Sequence, residues 1–223
     1  MLIAMATDFS GTRVARLRSM ASTEKTLPVL REALQDCREC DLYRHATQAV
    51  PGEGPESALI VFIGEQPGDE EDRQGRPFVG PAGRVLDRAL EEVGINRSEV
   101  YVTNAVKHFK FEERGKRRIH EKPAVGESKA CRHWLEAELA AIRPAIIVCL
   151  GATAAQSVFG PDYRVTKERG VFVKHDWAPQ ATSTIHPSAI LRAPHEQRET
   201  EYQRFVGDLK KVKVAVAGRP RRS

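Results

Sequence analysis

The sequence contains no apolar run approaching the ~20 residues that a membrane-crossing helix needs, and no basic flank joined to a short apolar core of the kind that directs secretion. Neither a membrane span nor a secreted, disulfide-stapled framework is therefore expected, and the expected compartment is the cytoplasm. There is also no Walker phosphate loop and no G-x-G-x-x-G dinucleotide fingerprint, so nucleotide hydrolysis and hydride transfer lack support. Internal repeats and low-complexity segments are absent as well, which argues against solenoids and fibrous arrays.

What is present is the composition of one globular domain. The chain has 223 residues, 41% of them apolar and 29% charged, enough to bury a single good core. Residues 1–23 are poor in acids and rich in Arg, Ser and Thr and are expected to form a disordered extension. Residues 24–213 are expected to form the domain, and 214–223 a basic, disordered tail. The net charge of +5 is modest, but its uneven distribution carries more information than its sum.

The most informative stretch runs from Leu59 to Gly83. Leu59-Ile-Val-Phe-Ile63 reads as a strand buried on both faces of a parallel sheet. It runs into a Gly/Pro-rich loop holding five carboxylates (Glu65, Asp69, Glu70, Glu71, Asp72) and Phe78. A helix follows with Leu86, Ala89, Leu90 and Val93 on one face and Gly94 suited to its C-terminal cap. Ligands of open α/β sheets bind at the carboxyl ends of strands, so this loop is a candidate site.

Further strands are read at Glu99–Asn104 and Ala145–Leu150, with weaker ones at Val171–Lys174 and Thr182–Ile185. Helices are read at Glu24–Leu34, Glu127–Ile142 and about Glu196–Val212; a further strand-to-helix turn starts at Gly151, and His186-Pro-Ser188 opens a short one. This alternation predicts a three-layer α/β/α sandwich around a small, mostly parallel sheet. Between Lys107 and His120 lie seven Lys, Arg or His side chains besides His120, two acids and two phenylalanines, with no clean period. A long loop is expected there, and basic residues interleaved with aromatics favour a polyanion with stackable bases.

Four cysteines are Cys37, Cys40, Cys131 and Cys149, the first two in a C-x-x-C spacing. Cys149, inside the apolar run Ile146–Leu150, reads by itself as a core residue. Together the four make a complete tetrahedral set for zinc or for an iron–sulfur cluster, and their spacing does not separate the two. The sandwich topology would gather the loops 64–83, 104–120 and 186–192 at one rim, with Glu65, Asp69, Phe78, Asn104, His120, His186 and Arg192. An Asn amide can pair with the edge of a base while an aromatic ring stacks on its face. Chemistry on a duplex base requires extruding it into such a pocket.

The segments Gly64-Glu-Gln-Pro-Gly-Asp69, Gly75-Arg-Pro-Phe-Val-Gly-Pro-Ala-Gly83, Thr103-Asn-Ala-Val-Lys107 and His186-Pro-Ser188, taken with the cysteines, resemble the iron–sulfur (family 4) branch of the uracil-DNA glycosylase superfamily. The likeness spans roughly residues 37–212. Gln66, where that branch usually has Ala, and Lys116-Arg-Arg-Ile-His120 resemble UdgX, the branch that becomes covalently attached to DNA at the uracil site. The resemblance implies a [4Fe–4S] cluster on Cys37, Cys40, Cys131 and Cys149, serving as a structural staple distant from the reaction. It implies uracil stacked on Phe78 and read by Asn104, with Gln66, Asp69 and Arg192 also at the substrate. His186 would stabilise charge on the departing base, His120 would attack C1′ of the deoxyribose, and Glu65 would support both His120 and the sugar cation. Lys107, Lys116, Arg117 and Arg118 would hold phosphates. The implied partner is uracil-containing DNA, single-stranded first and double-stranded by extension, met by a monomer acting at the nucleoid. A conventional multiple-turnover glycosylase is the competing expectation, and a silent nucleic-acid binder with structural zinc is a third.

Overall fold

The computed structural model describes residues 26–219. Its centre is a five-stranded sheet in the order β2-β1-β5-β7-β6. The strands are β1 (Ile60–Gly64), β2 (Tyr101–Asn104), β5 (Ile146–Leu150), β6 (Val173–His175) and β7 (Ala178–Thr184). β2, β1, β5 and β7 run parallel, and β6 closes one edge antiparallel to β7. All five residues of β1 are buried, as its unbroken apolar run requires of a strand covered on both sides.

Alternation along each strand divides the core into two layers. Val61, Ile63, Tyr101, Ile147 and Ala181 face α1 (Leu27–Gln35), α4 (Val125–Ile142) and α5 (Ala152–Phe159), meeting Leu30, Leu34, Trp134, Leu135 and Val158. Ile60, Phe62, Val102, Val148 and Leu150 face α3 (Pro81–Val93), α7 (Pro187–Arg192) and α8 (His195–Val216) through Leu86, Leu90, Ile190, Phe205 and Leu209. Two further short α-helices lie among the described residues, α2 (Asp69–Gln74) and α6 (Val165–Glu168). The expected α/β/α sandwich is the observed architecture.

The basic stretch departs from expectation. In place of a long loop, the chain forms a hairpin of β3 (Phe111–Arg114) and β4 (Arg117–His120). Gly115 opens its two-residue turn at φ +62°, a backbone state that favours glycine at the first position of such turns. Both strands are short and mostly exposed, so no hydrophobic alternation announces them. The acidic stretch likewise is not all loop, since α2 starts at Asp69 with four acids in its first turn, where the helix dipole favours them. The last helix continues through Val216, past the expected end of the domain. The expected disordered extension, residues 1–23, lies outside the described residues.

Candidate active site

The carboxyl ends of β1 and β2 emerge side by side, with Gly64 opposite Asn104. A β-carbon on Gly64 would lie 2.3 Å from Asn104 Oδ1 and 2.8 Å from Phe78 Cζ, so the amide and the ring meet above a backbone that only glycine leaves open. Phe78 itself has φ 58°, a left-handed conformation rare for an aromatic residue and of the kind found at binding sites. Gly83 lets the Phe78 carbonyl approach α3, because a β-carbon there would collide with that oxygen at 1.7 Å. Phe78 and His186 lie with ring centroids 6.1 Å apart.

Glu65 follows β1 directly. Its Oε1 is 3.1 Å from His120 Nε2, and its Oε2 accepts from the Thr153 hydroxyl in the first turn of α5. Burial alone would raise the Glu65 carboxyl, but hydrogen bonds from His120 and Thr153 outweigh it and hold the group below the ordinary carboxylate range. A carboxylate accepting from His120 Nε2 leaves the lone pair on the second ring nitrogen.

His186 caps α7. Its Nδ1 accepts from the Ser188 backbone N–H at 3.2 Å and lies 2.8 Å from Ser188 Oγ. Arg192 donates to that same hydroxyl at 3.0 Å, which leaves the Ser188 proton free to point at His186. Burial pushes the imidazole down to about 4. At neutral pH His186 is therefore uncharged, with its one proton on Nε2, where it serves as a hydrogen-bond donor.

Two contacts set the hairpin beside this site. The Gln66 carboxamide donates to the carbonyls of Lys110 and Glu121, both at 3.0 Å, and accepts from the Lys110 N–H at 3.1 Å. It thus spans both ends of the hairpin. Arg118 reaches Asp69 and Asp72, and its guanidinium lies 5.4 and 4.9 Å from the ring centroids of Phe109 and Phe111.

Several expected roles change with these placements. Gln66, assigned to the substrate, is 7% exposed and has its amide engaged with the hairpin backbone. Asp69, also assigned to the substrate, pairs with Arg118 and Arg73. Arg118 is not a free phosphate ligand, since both carboxylates hold it in place. Lys107 is wholly buried, 2.7 Å from Glu138 and 2.6 Å from Thr103 Oγ1, because a charge at the root of the hairpin is tolerated only when paired. Lys116 and Arg117 are exposed at the hairpin tip, where a phosphate could reach them. Arg192 is exposed near His186.

The cysteines divide three to one. Cys37, Cys40 and Cys131 lie close enough to act on one another, and the Trp134 indole donates to Cys37 Sγ at 3.3 Å. Cys149, expected as the fourth ligand, stands in β5 fully buried, and burial alone raises its thiol. Among the described residues no three His, Cys, Asp or Glu side chains surround a single ion position. Thr153 and Ser188 were not singled out as site residues, although a hydroxyl one turn past a strand end and the Ser of His-Pro-Ser were both readable. A cleft of about 880 Å³ lies at the other end of the strands, lined by Leu59, Ala145 and Trp177, but the titratable set stands at the carboxyl ends.

A family model of the uracil DNA glycosylase superfamily matches residues 51–210. The chain is 39% identical over 198 residues to a type-4 uracil-DNA glycosylase of Thermotoga maritima, covering 87% of this chain and 96% of that protein. It is 37% identical to a type-4 uracil-DNA glycosylase of Archaeoglobus fulgidus, over 82% of this chain and 89% of that one. A type-5 uracil-DNA glycosylase of Pyrobaculum aerophilum is 29% identical, over 66% of this chain and 63% of the relative. With the matched segment spanning the sheet, Glu65, Asn104, the hairpin and His186, this chain belongs to the uracil-DNA glycosylase superfamily.

Proposed function

We propose that the protein excises uracil from DNA and then keeps the DNA, with His120 bonded to C1′ of the deoxyribose. The observation that carries the second half of this reading is the 3.1 Å contact between Glu65 and His120 on a hairpin tied down by Gln66 and Arg118. A solvated basic loop would not need such bracing; a nucleophile would.

In this reading the extruded base stacks on Phe78 and pairs with Asn104. As the bond from C1′ to the base breaks, its electron pair goes to the uracil and the sugar gains oxocarbenium character. The neutral His186 donates its Nε2 proton as a hydrogen bond to the uracil oxygen that gains charge, a contact worth several kcal/mol in a site poor in water. Glu65 offsets the sugar cation. The His120 lone pair then forms the new bond to C1′, and the resulting imidazolium stays paired with Glu65. No proton need be removed, and a nitrogen bonded in this way has no ready leaving route.

A [4Fe–4S] cluster belongs to the same reading. The three converging thiols suit it, since a cubane takes one ligand per iron and needs no point that three ligands share. When bound it would tie the segment after α1 to α4, contributing to folding.

The competing reading is a conventional glycosylase that releases both products. It is favoured by the 39% identity to a type-4 enzyme across nearly that enzyme's whole length. Incubation with a uracil-containing oligonucleotide decides between them. Covalent capture leaves a protein–DNA species that survives boiling in detergent and at most one uracil released per chain. Conventional turnover leaves no such species and many uracils per chain.

A further inference from the structure

His108 stands one residue past Lys107, at the root of the hairpin. It is 2% exposed, and its side chain hydrogen-bonds to the sulfur of Cys40. Its Nδ1 is buried with no hydrogen-bond partner. Leaving such a group unsatisfied forfeits its lost hydration, so a buried imidazole beside thiols calls for something that is not protein.

The surroundings of the sulfurs point the same way. Backbone N–H groups of Glu39, Leu42 and Lys107 are directed at Cys37, Cys40 and Cys131, respectively. Such donors stabilise ligating sulfur and tune it. Cys149 shares none of this: none of the other three cysteines acts on it, and in the sheet it sits opposite Ser183.

We propose that the cluster is held by Cys37, Cys40, Cys131 and His108, and that Cys149 is a core residue of β5. This rests on the iron–sulfur reading above. One imidazole among three thiolates makes the ligand set one negative charge poorer, which raises the reduction potential, as histidine ligation does in other iron–sulfur centres. It also fixes the backbone between Asn104 and β3, so the same ligand that holds iron anchors the hairpin bearing His120.

The test compares wild type, His108→Ala, His108→Cys, Cys149→Ala and Cys149→Val after anaerobic purification, with circular dichroism as the check on folding. Cys149→Val keeps the buried volume filled in case the smaller residue unfolds the strand. Iron and sulfide content, the reduction potential, and pulsed electron paramagnetic resonance of the reduced protein with 15N-labelled histidine are the readouts. Wild type should hold about four irons and show a ligand-strength nitrogen coupling. Cys149→Val should match it. His108→Ala should lose iron while folded, and His108→Cys should keep the cluster, lose the nitrogen coupling and shift to a lower potential. Full iron in folded His108→Ala, or loss of the cluster in folded Cys149→Val, overturns the assignment while sparing the cluster. A wild-type protein without iron overturns both.

Discussion

Arg118 and Asp72 form a 2.6 Å ion pair in which the carboxylate is wholly buried, and two residues further along β4 His120 meets Glu65. Residues two apart on a strand share a face, so fixing Arg118 aims His120. Removing Arg118 strands a buried charge. Arg118→Ala should cost about 3 kcal/mol in denaturant unfolding and slow adduct formation, without changing the salt dependence of DNA binding. Lys116→Ala and Arg117→Ala should each lower the log–log salt slope by about one while leaving stability alone. A normal stability and a reduced slope for Arg118→Ala would return it to the phosphate contacts.

Gln66 should act as a brace. Gln66→Ala removes three hydrogen bonds from the two ends of the hairpin, at a cost of roughly 1–3 kcal/mol. Amide exchange at Lys110 and Glu121 should accelerate, and products should shift from adduct toward free uracil with turnover as water replaces the displaced imidazole. Unchanged exchange and unchanged partition would assign Gln66 to the base instead.

Asn104→Ala should lower uracil excision by about 100-fold or more, a loss typical of a single transition-state contact, while DNA affinity changes little, because phosphates are held elsewhere. Matched losses of excision and binding in a folded variant would show that Asn104 does not read the base.

Acid should destabilise the protein, and the sign is the same for two site groups. Burial takes His186 down to about 4 against an ordinary 6.5, so between those values the unfolded chain binds more protons and stability falls as pH drops. Glu65, held below the ordinary carboxylate range mainly by His120 and Thr153 against its burial, contributes stability that is present above the unfolded value and lost as pH falls. Denaturant titrations from pH 7.5 to 4.5 should lose on the order of 2 kcal/mol more in wild type than in His186→Asn. Parallel pH profiles would show that His186 is not the buried neutral group described.

The sheet and its two layers were legible because β1, β5 and α3 carry unambiguous periods, and a strand buried on both faces cannot hide in a sequence. Glu65, Asn104, Phe78 and His186 were legible because strand ends in parallel sheets are where ligands bind. The hairpin was not, since short and mostly exposed strands have no apolar rhythm and only Gly115-Lys116 marks the turn. The ion pairs of Lys107 and Arg118 were not legible for one shared reason: charge in a sequence looks solvated until a distant partner is placed. Glu138 and Asp72 are those partners, and nothing local announces them. Cys149 and His108 show the same effect for ligands, since a count of thiols cannot say which ones converge.

The most direct test of covalent capture is denaturing electrophoresis of wild type and His120→Ser on the same single-stranded, uracil-containing oligonucleotide, with peptide mapping of any shifted band. The account predicts a detergent-stable band for wild type, mapped to the peptide containing His120, and for His120→Ser no band but free uracil over multiple turnovers. A serine variant that crosslinks at the wild-type rate, or a wild type that releases uracil repeatedly without a band, would contradict it.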